Sequence, residues 1–169
     1  SYSKTLGQRI DERVLTSEGA LRLERVPASA VVLGGGVIGV EFASAWASLG
    51  ARVTIVEALP RLVPGEDEAV SKQLERAFRK RRIAVRTNTM FESVERHDGG
   101  VTVHTQDGKT HDAEVMLIAV GRGPVTADLG YEQAGVAMDR GFVTTDGFGR
   151  TSVPGVWAVG DIVPGVQLA

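Results

Sequence analysis

Three glycines at fixed spacing are the residues of this 169-residue chain best suited to chemistry. Gly34, Gly36 and Gly39 form the pattern Gly-x-Gly-x-x-Gly directly after the apolar run 30–33 and at the start of a helical pattern. Gly34 would allow a tight turn, Gly36 would let a diphosphate approach bare backbone N–H groups, and Gly39 would let the helix pack closely on a sheet. Taken alone, the pattern is better explained as a plain glycine turn. Its strand-turn-helix context favours a dinucleotide site.

Two acidic residues follow the glycine pattern at informative distances. Glu57 ends the next apolar run, 23 residues after Gly34. A carboxylate there can accept a hydrogen bond from a ribose 2′-hydroxyl and would repel a 2′-phosphate, which favours NAD over NADP. Only one arginine, Arg61, follows closely. The alternative for Glu57 is a solvated charge at a strand end. Glu41 either lies near the nicotinamide or is simply an acid stabilised by the helix dipole, and the sequence leaves both open.

The elements around these residues alternate between strand and helix. Apolar runs predict strands at 30–33, 52–57 and 83–85, and helical spacing predicts helices at 37–49 and 67–81. This order predicts an α/β fold with a Rossmann-like parallel sheet and right-handed crossovers. The apolar stripe of the second helix is predicted to be Val70, Leu74, Ala77 and Phe78.

From residue 91 the sequence takes on the period of strands. The patterns at 91–96, 101–105 and 110–119 are separated by Asp98-Gly99-Gly100 and Asp107-Gly108, which are strong hairpin signals. They predict an inserted antiparallel β-meander whose last strand, 115–120, returns to the parallel sheet because its apolar run is continuous. A further strand is predicted at 156–159, and Trp46 and Trp157 are expected in the core.

Composition excludes several classes of protein. The net charge of −2 gives no general attraction for nucleic acid, and no apolar run approaches the ~20 residues of a membrane span. The one basic cluster ends the second predicted helix, where it complements the helix dipole. Cysteine is absent, and His97, His104 and His111 lack the spacing of a metal site. With no signal peptide visible, we expect a cytoplasmic location by default.

Several separated motifs resemble the flavin-dependent pyridine nucleotide-disulfide oxidoreductases, and among them the dihydrolipoyl dehydrogenases. In chain order the motifs are VLTS (14–17), GGGVIGVEF (34–42), VE (56–57), VGRGP (120–124) and VWAVGD (156–161). This series is far more specific than the glycine pattern. It divides the chain into a lead-in arm from an FAD domain at 1–27, an NAD(P)-binding domain at 28–150, and a return into the FAD domain at 151–169.

The resemblance also implies roles for individual residues. The residues that would carry the NAD diphosphate are Gly34, Gly36, Val37, Ile38 and Gly39, while Glu57 would bind the adenosine ribose. Glu41 would lie by the nicotinamide and pair with a lysine of the flavin domain. Phe91 would set an apolar surface against NAD, and Gly121 would contact the cofactor where the returning strand ends. Asp161 would hydrogen-bond the ribityl chain of FAD, and 167–169 would continue beside the flavin.

Some expected features of such an enzyme are missing or altered. Val125 stands where the family usually has asparagine, and Arg82 where a glycine is often found. The chain has neither the cysteine pair of the FAD half nor the His-Glu acid-base pair of the interface domain, and disulfide reduction needs a thiolate and a base. We therefore expect no catalytic residue in this chain, and no turnover by the chain alone.

In the whole enzyme, the resemblance implies that dihydrolipoamide passes electrons to the cysteine pair, then to FAD, and finally as a hydride to NAD⁺. A 2-oxo acid dehydrogenase complex would be the partner. One alternative is the same domain of another reductase, such as a mercuric reductase, glutathione reductase or NADH oxidase, although Glu57 argues against NADPH-dependent members. The other is a freestanding, non-catalytic dinucleotide-binding module, against which the flavin-type ending at Asp161 argues.

Overall fold

The computed structural model describes residues 2–165. Its helices are α1 (Ser17–Ala20), α2 (Val37–Ser48) and α3 (Glu68–Lys80), and a 3₁₀ turn covers Gly160–Ile162. Its strands are β1 (Tyr2–Ser3), β2 (Val14–Leu15), β3 (Ser29–Leu33), β4 (Arg52–Val56), β5 (Ala84–Arg86), β6 (Phe91–His97), β7 (Gly100–Thr105), β8 (Thr110–Ala113), β9 (Val115–Ile118), β10 (Arg122–Gly123), β11 (Met138–Asp139) and β12 (Phe142–Val143).

Five parallel strands in the order β2-β9-β3-β4-β5 form the central sheet. The register sets Leu33 of β3 beside Val56 of β4 on one side and beside Ile118 of β9 on the other. Because all five strands run the same way, their last residues share one edge, the carboxyl edge, and their first residues share the opposite amino edge. The predicted Rossmann-like sheet is confirmed.

The sheet is buried on both faces, as expected for parallel strands. On one face, Val32, Ile55 and Leu117 pack against residues of α2 and α3, including Trp46 and Phe78. On the other face, the antiparallel β6-β7-β8 meander covers the sheet through a cluster that includes Val101 and Val103. The inserted meander and the return of β9 to the parallel sheet are both confirmed.

The helices of the sheet layer begin and end where their sequences provide caps. Asp67 caps α3, since its side chain accepts a hydrogen bond from the backbone N–H of Ala69 at 2.7 Å. After the last residue of α3, Arg81 donates to the hydroxyls of Ser44 and Ser48 and so ties the end of α3 to α2. Past α2, Gly50 has φ of +100°, a conformation that glycine adopts at little cost.

The chain divides into two compact units, one of residues 3–121 and one of residues 122–165 with Tyr2. The sheet, its helices and the meander belong to the first unit. The second unit contains β10, the β11-β12 hairpin and a small core around Val136, Val143 and Ala158. The expected nucleotide domain at 28–150 is thus shared between the units, and the expected lead-in arm contributes β2 to the sheet. Among the described residues, no helix has the length and apolarity needed to cross a bilayer.

Three local predictions are wrong. The predicted strand at 156–159 makes a single isolated bridge, between Trp157 and Arg150, because the chain turns into a 3₁₀ turn at Gly160 instead of extending a ladder. Trp157 was expected in the core but is 59% exposed, whereas Trp46 is buried as predicted. On α3, Phe78 is buried and Leu74 packs partly buried against the core as predicted, but Val70 and Ala77 are exposed and Ser71 is buried in their place. The burial of Ser71 is compensated by its hydrogen bond to the preceding loop.

Candidate functional site

The glycine turn follows β3, which lies between β4 and β9 at the carboxyl edge of the sheet. From β3 the chain proceeds outward through β4 and β5, while β9 lies on the other side, so this is a topological switch point of the kind where open α/β sheets bind ligands. Gly34 N donates to Val56 O at 2.8 Å, and Ala119 N donates to Leu33 O at 2.7 Å. The turn is therefore anchored to both neighbouring strands.

The three glycines of the motif meet different surroundings. Gly34 has φ of +107°, and a Cβ there would collide with the carbonyl oxygen of Ala119. A Cβ on Gly39 would collide with the carbonyl oxygen of Gly34, so the helix can pack on the turn only if this residue is glycine. A Cβ on Gly36 would have no neighbouring atom within 4 Å. Gly34 and Gly39 therefore pack closely against the protein backbone, whereas Gly36 has open space beside it.

Helix α2 starts at this open position. Gly36 is its N-cap residue, and the first hydrogen bond of the helix runs from Val40 N to Gly36 O at 3.0 Å. The N–H groups of the preceding helical residues, Val37 to Gly39, have no carbonyl behind them within the helix. Together with the helix dipole, such N–H groups favour an anionic ligand.

Glu57 reaches the glycine turn directly. Its side chain is 7% exposed, which contradicts the alternative of a solvated charge at the strand end. One carboxylate oxygen accepts from Gly35 N at 2.5 Å, and the other accepts from Leu59 N at 2.7 Å. A carboxylate has about four lone-pair positions, so each oxygen keeps capacity for a further donor such as a hydroxyl. The structure brings this acid and the turn together.

The remaining candidates near the turn are the first residues of α2, and they are exposed or partly buried. Val37 and Glu41 are both exposed in the first turns of α2, four residues apart and therefore on one face of the helix. Ile38 is partly buried. Glu41 makes no hydrogen bond or ion pair with any of residues 2–165.

Three further candidates lie elsewhere. Phe91 begins β6 and packs partly buried against the core cluster that contains Leu33 and Val56 at the carboxyl edge. Gly121 follows β9, is exposed and has φ of +114°. Asp161 belongs to the second unit, where it is partly buried in the 3₁₀ turn. The expected flavin-side segment 167–169 lies outside the described residues.

The sequence prediction missed the loop between β4 and α3. Leu62 of this loop is fully buried, and its Cδ2 atom would lie 2.5 Å from a Cβ on Gly35. Val63 N donates to Gly35 O at 2.7 Å. The only signal available in the sequence was a short apolar pair, Leu62-Val63, inside a proline-containing loop, and this pair does not specify a partner.

The amino edge of the sheet carries a different arrangement, made of charged side chains. Glu114, just before β9, accepts from Ala28 N at 2.8 Å and forms an ion pair with Arg25. Asp11, just before β2, accepts from the N–H groups of Arg13 and Val14 at 2.9 Å each and from Arg96 Nε at 2.7 Å. Burial alone would raise the pKa of Asp11, but these hydrogen bonds outweigh it and lower the pKa to about 2.

The histidines occupy strand positions in the meander. His104 lies opposite Thr110 and approaches Glu95, with 3.5 Å between Nε2 and Oε1. His111 lies opposite Val103, and burial, aided by the charge of Arg86, lowers its pKa. Within residues 2–165 no group of three or more potential metal ligands comes together.

The fold and the site together define a class of protein. Its members are α/β proteins in which a glycine turn lies at the switch point of a parallel sheet and an acid lies at the end of the neighbouring strand. Residues 5–169 match the family model of the pyridine nucleotide-disulphide oxidoreductases, and the chain belongs to that family.

Individual relatives show which members of the family this chain resembles. The chain is 43% identical over 166 residues to the dihydrolipoyl dehydrogenase of Bacillus subtilis, which covers 95% of this chain and 35% of the relative. Among solved structures, LpdA from Mycobacterium tuberculosis matches with a TM-score of 0.87 and 34% identity, covering 95% of this chain and 35% of that one. The HOCl-induced flavoprotein disulfide reductase RclA from Escherichia coli, solved as a Cu(II) complex, matches with a TM-score of 0.85 and 36% identity over 92% and 36% of the two chains. This chain thus spans about a third of the length of its relatives.

Proposed function

We propose that residues 3–121 form the NAD(H)-binding domain of a dihydrolipoyl dehydrogenase and that the glycine turn receives the cofactor diphosphate. The observation that carries the proposal is the contact between the turn and Glu57. Bare N–H groups at the start of α2 suit a diphosphate, and a buried carboxylate bonded to the same turn suits the adjoining ribose.

The same residues favour NAD over NADP. A 2′-phosphate would bring negative charge against the buried carboxylate of Glu57. Arg61, the nearest arginine in the following loop, is already engaged, since Nη2 donates to Pro64 O at 2.8 Å and Nη1 donates to the Ser71 hydroxyl at 3.4 Å. Neither Glu57 nor Arg61 is therefore placed to bind the 2′-phosphate of NADP.

In this proposal the remaining candidates complete the cofactor path. The diphosphate is contacted by Val37 and Ile38, and the cofactor is contacted by Gly121 where the returning strand ends. Phe91 supplies an apolar surface against NAD, and Glu41 lies by the nicotinamide. Asp161 serves FAD in the complete enzyme. Bound NAD⁺ supplies the acceptor for a hydride, and this chain contributes the binding and orientation of that acceptor. The complete enzyme would oxidise dihydrolipoamide within a cytoplasmic 2-oxo acid dehydrogenase complex.

Titration calorimetry of the 169-residue chain with NADH, NAD⁺ and NADPH tests the proposal. We expect binding of NADH, weaker binding of NADPH, and about tenfold weaker NADH binding in Glu57→Gln, because a charged hydrogen bond to a hydroxyl is lost. Glu66→Gln is the matched control, since Glu66 is an exposed acid of the same loop. A preference of the wild type for NADPH, or no binding of NADH, would contradict the proposal.

The chain by itself should reduce neither a disulfide, because it contains no cysteine, nor an artificial acceptor, because that reaction needs a flavin beside the nicotinamide, which we assign to the FAD domain of the complete enzyme. Diaphorase assays with NADH and an artificial acceptor, with and without added FAD, check this expectation, and turnover would refute it. The similarity to RclA favours one second candidate, the same domain of a flavoprotein disulfide reductase with another substrate. Assays of the complete enzyme with dihydrolipoamide would separate the two.

A further inference from the structure

A serine in the buried stripe of α3 has no role in the nucleotide site described so far. Ser71 is 1% exposed, and its hydroxyl donates to Leu62 O at 2.7 Å. From the next turn of the same helix, Glu75 accepts from Leu62 N at 3.2 Å. Both backbone groups of Leu62 are therefore held by side chains of α3. This arrangement of Ser71, Glu75 and Leu62 is the Leu62 clamp.

The clamp bears on the glycine turn. Leu62 is fully buried and occupies the space beside Gly35, where any side chain on that residue would meet it. Val63, the next residue, donates to Gly35 O. Since Glu57 accepts from Gly35 N, both backbone groups of Gly35 are fixed, one by the residue that follows β4 and one by the clamped loop.

The carbonyl of Gly35 belongs to the peptide that joins Gly35 to Gly36, so fixing Gly35 on both sides restrains that peptide, and a side chain on Gly36 would meet open space. If the turn already has its ligand-bound conformation, binding does not include the entropy cost of ordering the turn, and the affinity is higher. We propose that Ser71 and Glu75 are positioning residues for the nucleotide site, and that they act through Leu62 on Gly35 without touching the ligand. This inference rests on the proposed binding of NAD(H) at the glycine turn.

Two pairs of variants test the proposal with NADH as the probe, at a temperature where circular dichroism shows each variant fully folded. Ser71→Ala removes the donor to Leu62 O and should weaken NADH binding about fivefold. Ser48→Ala is its control, because that hydroxyl bonds Arg81 away from the turn. Glu75→Ala should also weaken binding, while Glu75→Gln, which keeps a side-chain oxygen to accept from Leu62 N, should restore it.

Hydrogen exchange measured by mass spectrometry supplies a readout that a purely structural role would not move. In Ser71→Ala we expect faster exchange in a peptide covering 34–39 and unchanged exchange in a peptide covering β4. Wild-type NADH affinity in both Ser71→Ala and Glu75→Ala would overturn the clamp while leaving the nucleotide proposal intact. A wild type that does not bind NADH would overturn the nucleotide proposal, and the clamp would lose its function with it.

Discussion

The two edges of the central sheet are held together in opposite ways. At the amino edge, charged side chains cap the strand ends, with Asp11 bonded to two backbone N–H groups before β2 and Glu114 bonded to Arg25 and Ala28 before β9. At the carboxyl edge, the turn after β3 is held by backbone contacts and by Glu57, and Gly36 faces open space. The polar groups of the amino edge bond one another and nearby backbone, whereas at the carboxyl edge the first N–H groups of α2 have no carbonyl partner within the helix.

This contrast separates stability from binding. Changes at the amino edge should alter the free energy of unfolding and leave nucleotide affinity alone, because Asp11 and Glu114 lie at the opposite end of the strands from the glycine turn. Changes at the carboxyl edge should alter affinity, and they should also alter stability where the backbone packs without space.

The largest expected effect is that of Gly39→Ala at the carboxyl edge. The new methyl group would collide with Gly34 O, so either α2 or the turn must move. We expect a loss of about 3 kcal/mol in unfolding free energy, measured by urea denaturation, together with loss of NADH binding. Ala45→Gly on the exposed face of α2 should cost about 1 kcal/mol and leave binding unchanged. Normal stability of Gly39→Ala would show that the close approach is not needed.

A smaller effect is expected at the amino edge from Asp11→Asn. The pKa of Asp11 in the folded chain is about 2, below its ordinary value near 3.8. The stabilisation from its charge is therefore present above pH 4 and is lost as the pH falls toward 2. We expect the variant to be less stable by about 1 kcal/mol at pH 7, after allowance for solvent screening, with a difference that shrinks below pH 4.

Urea denaturation from pH 7 to pH 2.5 measures this difference, and Glu12→Gln, at an exposed neighbouring acid, is the control. NADH affinity of Asp11→Asn at pH 7 should match that of the wild type. A pH-independent difference in stability would show that the charge of Asp11 is not the cause.

The smallest effect is expected for Arg82→Gly, between α3 and β5. Arg82 has φ of +60°, a left-handed conformation that costs a residue with a Cβ about 1–2 kcal/mol. Glycine relieves this strain but gains freedom in the unfolded chain, so we expect a net stabilisation of about 0.5 kcal/mol by thermal denaturation. Arg79→Gly, inside the last turn of α3, should have the opposite sign. Destabilisation by Arg82→Gly would mean that contacts of the arginine side chain stabilise the fold by more than the left-handed backbone conformation costs.

Local rules were sufficient for much of the site. The glycine spacing, the strand before it and the acid after the next strand singled out the glycine turn and Glu57 as candidates for one site, and the two are hydrogen-bonded in the structure. They did not predict Leu62, because nothing in an apolar residue of a loop indicates which backbone it will cover. The face of α3 was misjudged for a related reason. Ser71 is polar, and only its hydrogen bond to Leu62 makes its burial favourable.

The sequence by itself determined the order of strands and helices from β3 to β9, the meander and the turn that starts α2, because the spacing of apolar residues and the conformational freedom of glycine are local properties. Only the tertiary structure decided that Glu57 is buried, that Trp157 is exposed, and that α3 holds the loop beside Gly35. These outcomes depend on which distant segments meet, since burial and hydrogen bonding are properties of pairs of segments.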